Sequence, residues 1–275
     1  MTLTRLHYVL ALLAIGILAA GPIAAQQGMR RWQGGGRQFE VPERDVFPGG
    51  NFTFCRIRYT SWGGWQKWSI DYPDSDVNFM QRLSELTSLK VNRDTHGGVQ
   101  HVVIELMDDS LWDYPFIYMI EVGDLVLSVE ERARLRDYLL RGGFLMVDDF
   151  WGEDEWHNWQ QEIEQVFPPA EYPMVELELD HPVFNMVFSL KEKPQIPAIG
   201  NWVNWGITYE RPDAKTPHYK GISDKNGRLM AIICHNTDLG DGWEREGESQ
   251  SYFEEFSAKK AYPLGINIVV YAMTH

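Results

Sequence analysis

Cysteine is almost missing from this chain: 275 residues contain two, Cys55 and Cys234. At most one disulfide is therefore available. Both cysteines lie inside apolar, strand-like runs. An oxidising compartment permits the bond, but pairing needs neighbouring strands with facing side chains, so a bridge and a buried reduced pair both stay open. Positive charge is missing too, over a whole stretch: from Arg141 to Lys191 no Lys or Arg intervenes, while Asp148, Asp149, Glu155, Glu162, Glu176 and other acids fill the interval. The whole chain carries 25 basic and 39 acidic residues, a net charge of −14. Such a field repels phosphate backbones, which excludes nucleic acid as a partner. It suits either a solvated acidic face or attraction of cations and basic partners. No H-E-x-x-H, EF-hand loop, G-x-S-x-G or phosphate-cradling glycine loop occurs, so no standard catalytic motif names a reaction.

Long apolar runs are lacking after the N-terminus. Arg5 precedes the apolar run Val9 to Ala20, which is followed by Gly21, Pro22, Ala24 and Ala25. Charged, apolar and small-residue regions in that order read as a secretory signal peptide over residues 1–26, cleaved near Ala25 or Gln26. The alternative, a retained anchor, meets a run shorter than the ~20 residues of a usual span. The expectation is an exported protein, periplasmic or extracellular, with no stable membrane insertion after cleavage. Removing Arg5 leaves 24 basic against 39 acidic residues, a charge of 24 − 39 = −15. Residues 27–50 are rich in Gly and Arg without apolar period and read as a flexible linker. Residues 51–275 are then long enough for a single α/β domain.

What is present is an alternation of strands and helices. F-T-F-C-R-I-R-Y alternates with period two, and D-V-N-F-M-Q-R-L-S-E-L sets Phe79, Leu83 and Leu86 on one helical face. H-V-V-I-E-L and P-F-I-Y-M-I suit strands. Ser128 and Glu131 form a capping box that opens a helix with Leu135, Tyr138 and Leu139 on its inner face, and Gly142 and Gly143 stop it. The strand F-L-M-V, residues 144–147, follows at once and should lie near the middle of a mostly parallel sheet with helices on both faces. H-N-W-Q-Q-E-I-E-Q-V-F is helical, M-V-E-L-E-L a strand, and H-P-V-F-N-M-V-F a helix with Pro182 in its first turn and His181 helping to start it. Residues 191–218 form a long Pro-, Gly- and Trp-bearing loop of the kind that serves function. Y-K-G-I and R-L-M-A-I-I-C make a hairpin about an Asn-Gly turn. The apolar L-G-I-N-I-V-V-Y-A-M reads as a buried helix.

In open α/β sheets ligands bind beyond the carboxyl ends of the strands. Asp148, Asp149 and Trp151 follow one such end; His235, Asn236, Asp238, Asp241 and Trp243 follow another. Adjacent residues leaving a strand project to opposite sides, so Asp149 should share a crevice with His235 and Asp238 while Asp148 faces elsewhere. Trp202 and Trp205 in the long loop offer flat surface to a ligand, and Tyr59, Trp62 and Trp65 are further candidates for its wall. For each residue a plainer role exists: Asp149 as the cap of a turn, His235 as a hydrogen-bonded strand end, Asp238 and Asp241 as loop formers, the indoles as core.

The segments R-I-R-Y, D-Y-P-D-S-D, L-R-D-Y-L-L-R-G-G-F-L-M-V-D-D-F-W-G, D-H-P-V-F and C-H-N-T-D-L-G-D-G-W-E resemble domain-of-unknown-function family 4159 over nearly all of the chain from Asn51. That family resembles the class I glutamine amidotransferase-like, flavodoxin-like fold and, more loosely, trehalose-utilisation-type proteins. The resemblance implies a fold and a strand-end site, not an activity. Amidotransferases carry a nucleophilic cysteine in an elbow that corresponds to the region of Asp148 and Asp149, where this chain has none. His235 stands where their strand-end histidine is expected, but Asn236 and Thr237 replace the usual Pro-Glu. Cys234 points away from its neighbour and does not restore the dyad.

Two functions from different classes follow. In the first, the domain is a non-catalytic cell-envelope binding or assembly module holding an envelope protein or small polar ligand, with Trp151, Trp202, Trp205, Asn236, Asp241 and Trp243 as contacts. In the second, Asp149, His235 and Asp238 hold a divalent cation or act as acid and base in a hydrolase for a sugar- or peptide-like substrate.

Overall fold

Short apolar runs build one seven-stranded sheet, and the chain's polar residues gather where those runs end. β1 (Phe54–Ile57), β3 (His101–Ile104), β4 (Phe116–Ile120), β6 (Phe144–Asp148) and β9 (Leu229–His235) pair in parallel in the order β3-β1-β4-β6-β9. β8 (His218–Ser223) and then β7 (Met174–Glu176) extend the β9 side antiparallel. β2 (Thr60–Ser61) and β5 (Leu125–Val126) form a separate antiparallel ribbon. This computed structural model describes residues 50–275, so the segments expected to be a signal peptide, 1–26, and a linker, 27–50, lie outside the described residues except for Gly50. Taken along the chain, the parallel strands stand in the doubly wound order second, first, third, fourth, fifth. β6 is the fourth of seven, the middle strand that F-L-M-V predicts.

Burial on both faces explains why these strands read as continuous apolar runs. α1 (Asp74–Leu86), α5 (Leu239–Glu244) and α7 (Tyr262–Thr274) pack Phe79, Trp243 and Ile266 against Phe54, Tyr118, Met146 and Cys234 in the main core. α4 (Ile199–Trp205) interrupts the segment 191–218, expected to be a loop, and α7 is entered through a short helix α6 (Gln250–Tyr252) and a π-helical stretch, Phe253–Ala261. The opposite face carries α2 (Val129–Leu140), with the Ser128–Glu131 capping box in place, and α3 (Gly152–Val166). Leu135, Leu139, Trp159 and Ile163 of these two helices are buried, as are Leu145 and Val147 of β6.

Several expectations are corrected in detail. Leu86 is 48% exposed, because α1 ends at it and the sheet-facing stripe is completed by Met80 instead. M-V-E-L-E-L is extended only over Met174–Glu176, where β8 supplies a partner. H-P-V-F makes a single 3₁₀ turn, Pro182–Phe184, with His181 Nδ1 accepting from Val183 N at 3.2 Å. The cysteines are free and buried. β4 and β6 stand between their strands, a separation of roughly 14 Å that no disulfide spans.

One strand residue breaks the apolar rule. Arg56, in β1, is fully buried and donates through Nε to both oxygens of the buried Asp76 at 3.1 Å, through Nη1 to the carbonyls of Trp68 (3.0 Å) and Ile70 (3.1 Å), and through Nη2 to Ser75 Oγ (2.9 Å). Its guanidinium lies 5.0 Å from the Tyr118 ring centre. Every donor direction is used, as a buried charge requires. The segment Trp68–Asp76, which contains D-Y-P-D-S-D, is thereby pinned over the carboxyl ends of the strands.

Candidate functional site

Three neighbouring parallel strands end in the same unusual way. The residue after β4, Glu121, and the residue after β6, Asp149, have φ of 56° and 54°; Asn236, after β9, has φ 61°. Asp71, in the segment held by Arg56, has φ 62°. Left-handed backbone at four non-glycine residues is costly, and such strain collects at functional sites. It lets the chain leave each strand sharply, and backbone hydrogen bonds tie the exits together. Glu121 N donates to Asp148 O (3.1 Å), Asp149 N to Thr237 O (3.2 Å) and Asn236 N to Phe150 O (3.0 Å).

Carboxylates converge in this crevice. Oxygens of Asp149, Glu210 and Asp238 lie within 4.8 Å of one another, and so do oxygens of Asp71, Asp238 and Asp241. Asp238 is common to both sets. Trp151 Nε1 donates to Asp149 Oδ1 at 2.9 Å, and Ala198 N to Glu210 Oε1 at 3.3 Å. Asp241 N donates to Asp238 Oδ1 at 2.6 Å, capping α5. Asp241 itself accepts from Ile199 N and, at 3.0 Å, from Arg245 Nε. Asp71 Oδ2 is shut off from solvent with no hydrogen-bond partner.

Burial dominates the electrostatics. It pushes the carboxyl groups of Asp71, Asp149 and Asp238 well above the usual range, and each is raised further by neighbouring acids: Asp241 beside Asp71, Glu121 beside Asp149, Asp149 beside Asp238. Asp241 rises for the same reason against the pull of Arg245. Glu210 as a residue is exposed, yet its carboxyl end reaches into the crevice, and loss of water there followed by Glu121 pushes it up to about 7. Among the described residues Arg245, through Asp241, is the only base in an ion pair with any of these five acids. Glu121 stands apart, with Lys67 Nζ 3.0 Å from its Oε2.

Asp148 turns to the other side, into the main core. Its Oδ2 accepts from the Tyr118 hydroxyl (3.0 Å) and from the N–H groups of Leu239 (2.9 Å) and Gly240 (3.1 Å), while burial raises its pKa to about 7. His235 does not join the carboxylates. Its ring lies against Phe150 (4.8 Å) and Trp156 (5.0 Å), and Nε2 donates to Gly152 O at 3.1 Å. Burial, first among the causes, lowers its pKa to about 4, so the imidazole is neutral. Asn236 is a clip: Oδ1 accepts from Gly152 N and Nδ2 donates to Thr216 O, each at 2.9 Å. Trp243 is core, 4.4 Å from Phe79 between ring centres. Trp151 is buried beside Asp149, and Trp202 packs on Phe256 at 4.9 Å. Trp205 is 69% exposed.

Tyr59 is buried, its hydroxyl between the carbonyls of Ile120 (2.6 Å) and Glu121 (2.8 Å). β1 lies second from the sheet's edge rather than at its centre, and Trp62 and Trp65 stay exposed. Trp65 instead borders a polar cleft of about 410 Å³ lined by Arg58, Gln66, Glu105 and Glu131, which contains none of the clustered acids. Sequence reasoning missed Glu210, which sits in an aperiodic loop with no local signal. It passed over Asp71 as a ligand, although the acid-rich D-Y-P-D-S-D was the one available hint.

The sequence signature of a domain of unknown function, DUF4159, matches residues 53–273. The chain belongs to the DUF4159 family. The matched region begins one residue before β1 and ends one residue short of the end of α7, so the sheet, Arg56 and all five clustered acids belong to the DUF4159 domain. No curated protein matches the chain.

Proposed function

We propose that this DUF4159 protein is an exported cell-envelope binding module whose ligand is a divalent cation held among Asp71, Asp149, Glu210, Asp238 and Asp241. The observation that carries this reading is the imbalance of charge: five carboxylates from four chain segments share one crevice with, among the described residues, a single basic partner, Arg245, itself shared with Glu244 and Glu248. Buried carboxylates left together without a counter-ion cost several kcal/mol each unless they take up protons or a cation. An all-oxygen donor set without His or Cys suits a hard ion such as Ca²⁺, Mg²⁺ or Mn²⁺.

The fold is read as class I glutamine amidotransferase-like. Its support is the doubly wound order of the parallel strands and the left-handed residue directly after the central one. Amidotransferases carry a cysteine in that region; here it holds Asp148 and Asp149, and glutamine hydrolysis is not part of the proposal. A second reading, metal-assisted hydrolysis of a sugar- or peptide-like substrate, draws on Glu210, which reaches the crevice from the exposed loop and leaves an approach for water. The test is a thermal-shift series on the mature protein, stripped with chelator and titrated with Ca²⁺, Mg²⁺, Mn²⁺, sugars or wall fragments. Saturation at 100 times Kd corresponds to about 2.7 kcal/mol of added stability. Asp149→Asn should remove most of the cation effect. No shift with any cation, beside a clear shift with a sugar or wall fragment, would replace the cation reading with a neutral-ligand one. Turnover of such fragments only with the metal present would favour the hydrolase.

A further inference from the structure

We propose that the crevice holds two divalent cations, bridged by the carboxylate of Asp238. The inference rests on the cation reading above and adds ion number and ligand assignment. The first ion is held by Asp149, Glu210 and Asp238, the second by Asp71, Asp238 and Asp241. Cation–oxygen bonds of about 2.0–2.6 Å place the ligand oxygens of one ion at most ~5 Å apart. Each triad meets that limit by itself, with one oxygen from each of its three residues within 4.8 Å of the others. Asp238 is the residue the triads share, and a carboxylate has two oxygens to divide between two ions. Paired cations that share ligands in this way sit about 3.5–4 Å apart.

Charge favours two ions over one. Five ionised carboxylates carry −5, and the base paired with them, Arg245, is shared with Glu244 and Glu248. At least four negative charges are left to be offset, of which a single divalent ion supplies two. The second position has its own mark, independent of the count of acids. Asp71 Oδ2 is sealed from solvent and accepts no hydrogen bond from any described residue, although burying such an oxygen without a partner is costly. It is aimed at the start of α5: a Cβ on Gly240 would come within 2.4 Å of it. Gly240 thus keeps open the space between Asp71 and the Asp238–Asp241 turn. Arg56, through its hydrogen bonds to the Trp68 and Ile70 carbonyls and to Asp76, fixes the segment that presents Asp71. The second position is prepared by the fold.

The experiment is equilibrium dialysis of the chelator-stripped mature protein against Mn²⁺ at physiological ionic strength, with bound metal counted and its EPR spectrum recorded. The wild type should bind two Mn²⁺ per chain, with the six-line signal of isolated Mn²⁺ replaced by the broad spectrum of an exchange-coupled pair. Asp71→Asn, nearly isosteric, and Glu210→Gln, at an exposed residue, should each halve the count and restore the isolated signal. Asp238→Asn should bring the count below one. Circular dichroism identifies any variant that fails to fold, and Glu210→Gln then carries the comparison. A wild type that binds one ion, unchanged by Asp71→Asn, overturns the two-ion assignment and leaves the cation reading standing. Two ions without coupling overturn the bridge. A wild type that binds none overturns the cation reading itself.

Discussion

Arg56 and Asp76 show how much a single residue pair can organise. Both are completely buried, and removing one partner of such a pair strands the other charge in the core. Arg56→Ala should therefore cost about 3–5 kcal/mol in urea unfolding. The double replacement Arg56→Met with Asp76→Leu should recover much of that stability, because the desolvation penalty goes with the charges. It should nevertheless loosen the Asp71 segment, seen as faster amide exchange over Trp68–Asp76. The cysteines play a simpler part. Cys55 and Cys234 lie on strands with two others between them and are raised well above ordinary thiol pKa values, first by burial, so they are neither paired nor nucleophilic. Thiol titration of the denatured, unreduced protein should find two free groups, and Cys234→Ser should keep whatever cation binding the wild type has.

At the scale of elements, the seam between β6 and β9 is the part on which the crevice depends. Asn236 closes it with a side-chain hydrogen bond from Gly152 N, holds the segment before β8 with a second to Thr216 O, and has its backbone at φ 61°. These two features separate in a pair of variants. Asn236→Ala loses both bonds and keeps a backbone that disfavours a Cβ. Asn236→Gly loses the same bonds but relaxes the backbone. Gly should be the milder change, by about 1 kcal/mol in a denaturant midpoint comparison. An Ala variant as stable as the Gly variant would mean that the left-handed turn is not under strain.

For the whole molecule, the buried acids and His235 give pH dependences of opposite sign. A carboxyl whose native pKa is raised, as Asp148 is to about 7, favours the folded state below its ordinary value of 3.8 and loses that contribution as pH rises through 7. Asp71, Asp149 and Asp238 act in the same direction. His235 is lowered from 6.5 to about 4, so its contribution is full above 6.5 and is lost on acidification toward 4. The cation-free protein should thus lose melting temperature between pH 6.5 and just above 7, where only the acids still titrate. For Asp148, the rise from 3.8 to about 7 corresponds to roughly 4 kcal/mol. Added divalent cation should restore the loss at neutral pH and have less effect as the acids protonate. A melting temperature flat through pH 7 in chelator would contradict the electrostatics given for the cluster.

The sequence by itself determined the sheet, because burial on both faces demands continuous apolar runs and capped helices between them, and F-L-M-V with its Ser128–Glu131 box displays both. It also pointed to the strand ends: Asp149, Asp238 and Asp241 follow β6 and β9 directly, so a local rule reaches them. What only the tertiary structure decided is which of these residues meet. His235 ends β9 three residues before Asp238, yet Phe150 and, from α3, Trp156 and the Gly152 carbonyl claim its ring. Trp243 becomes core because α5 folds back onto Phe79. Glu210 and Asp71 arrive from loops whose positions are fixed by distant partners, Ala198 N for one and Arg56 for the segment carrying the other. Periodicity records which side of its own element a residue faces. Convergence of carboxylates from separate segments depends on long-range packing, and no local pattern encodes it.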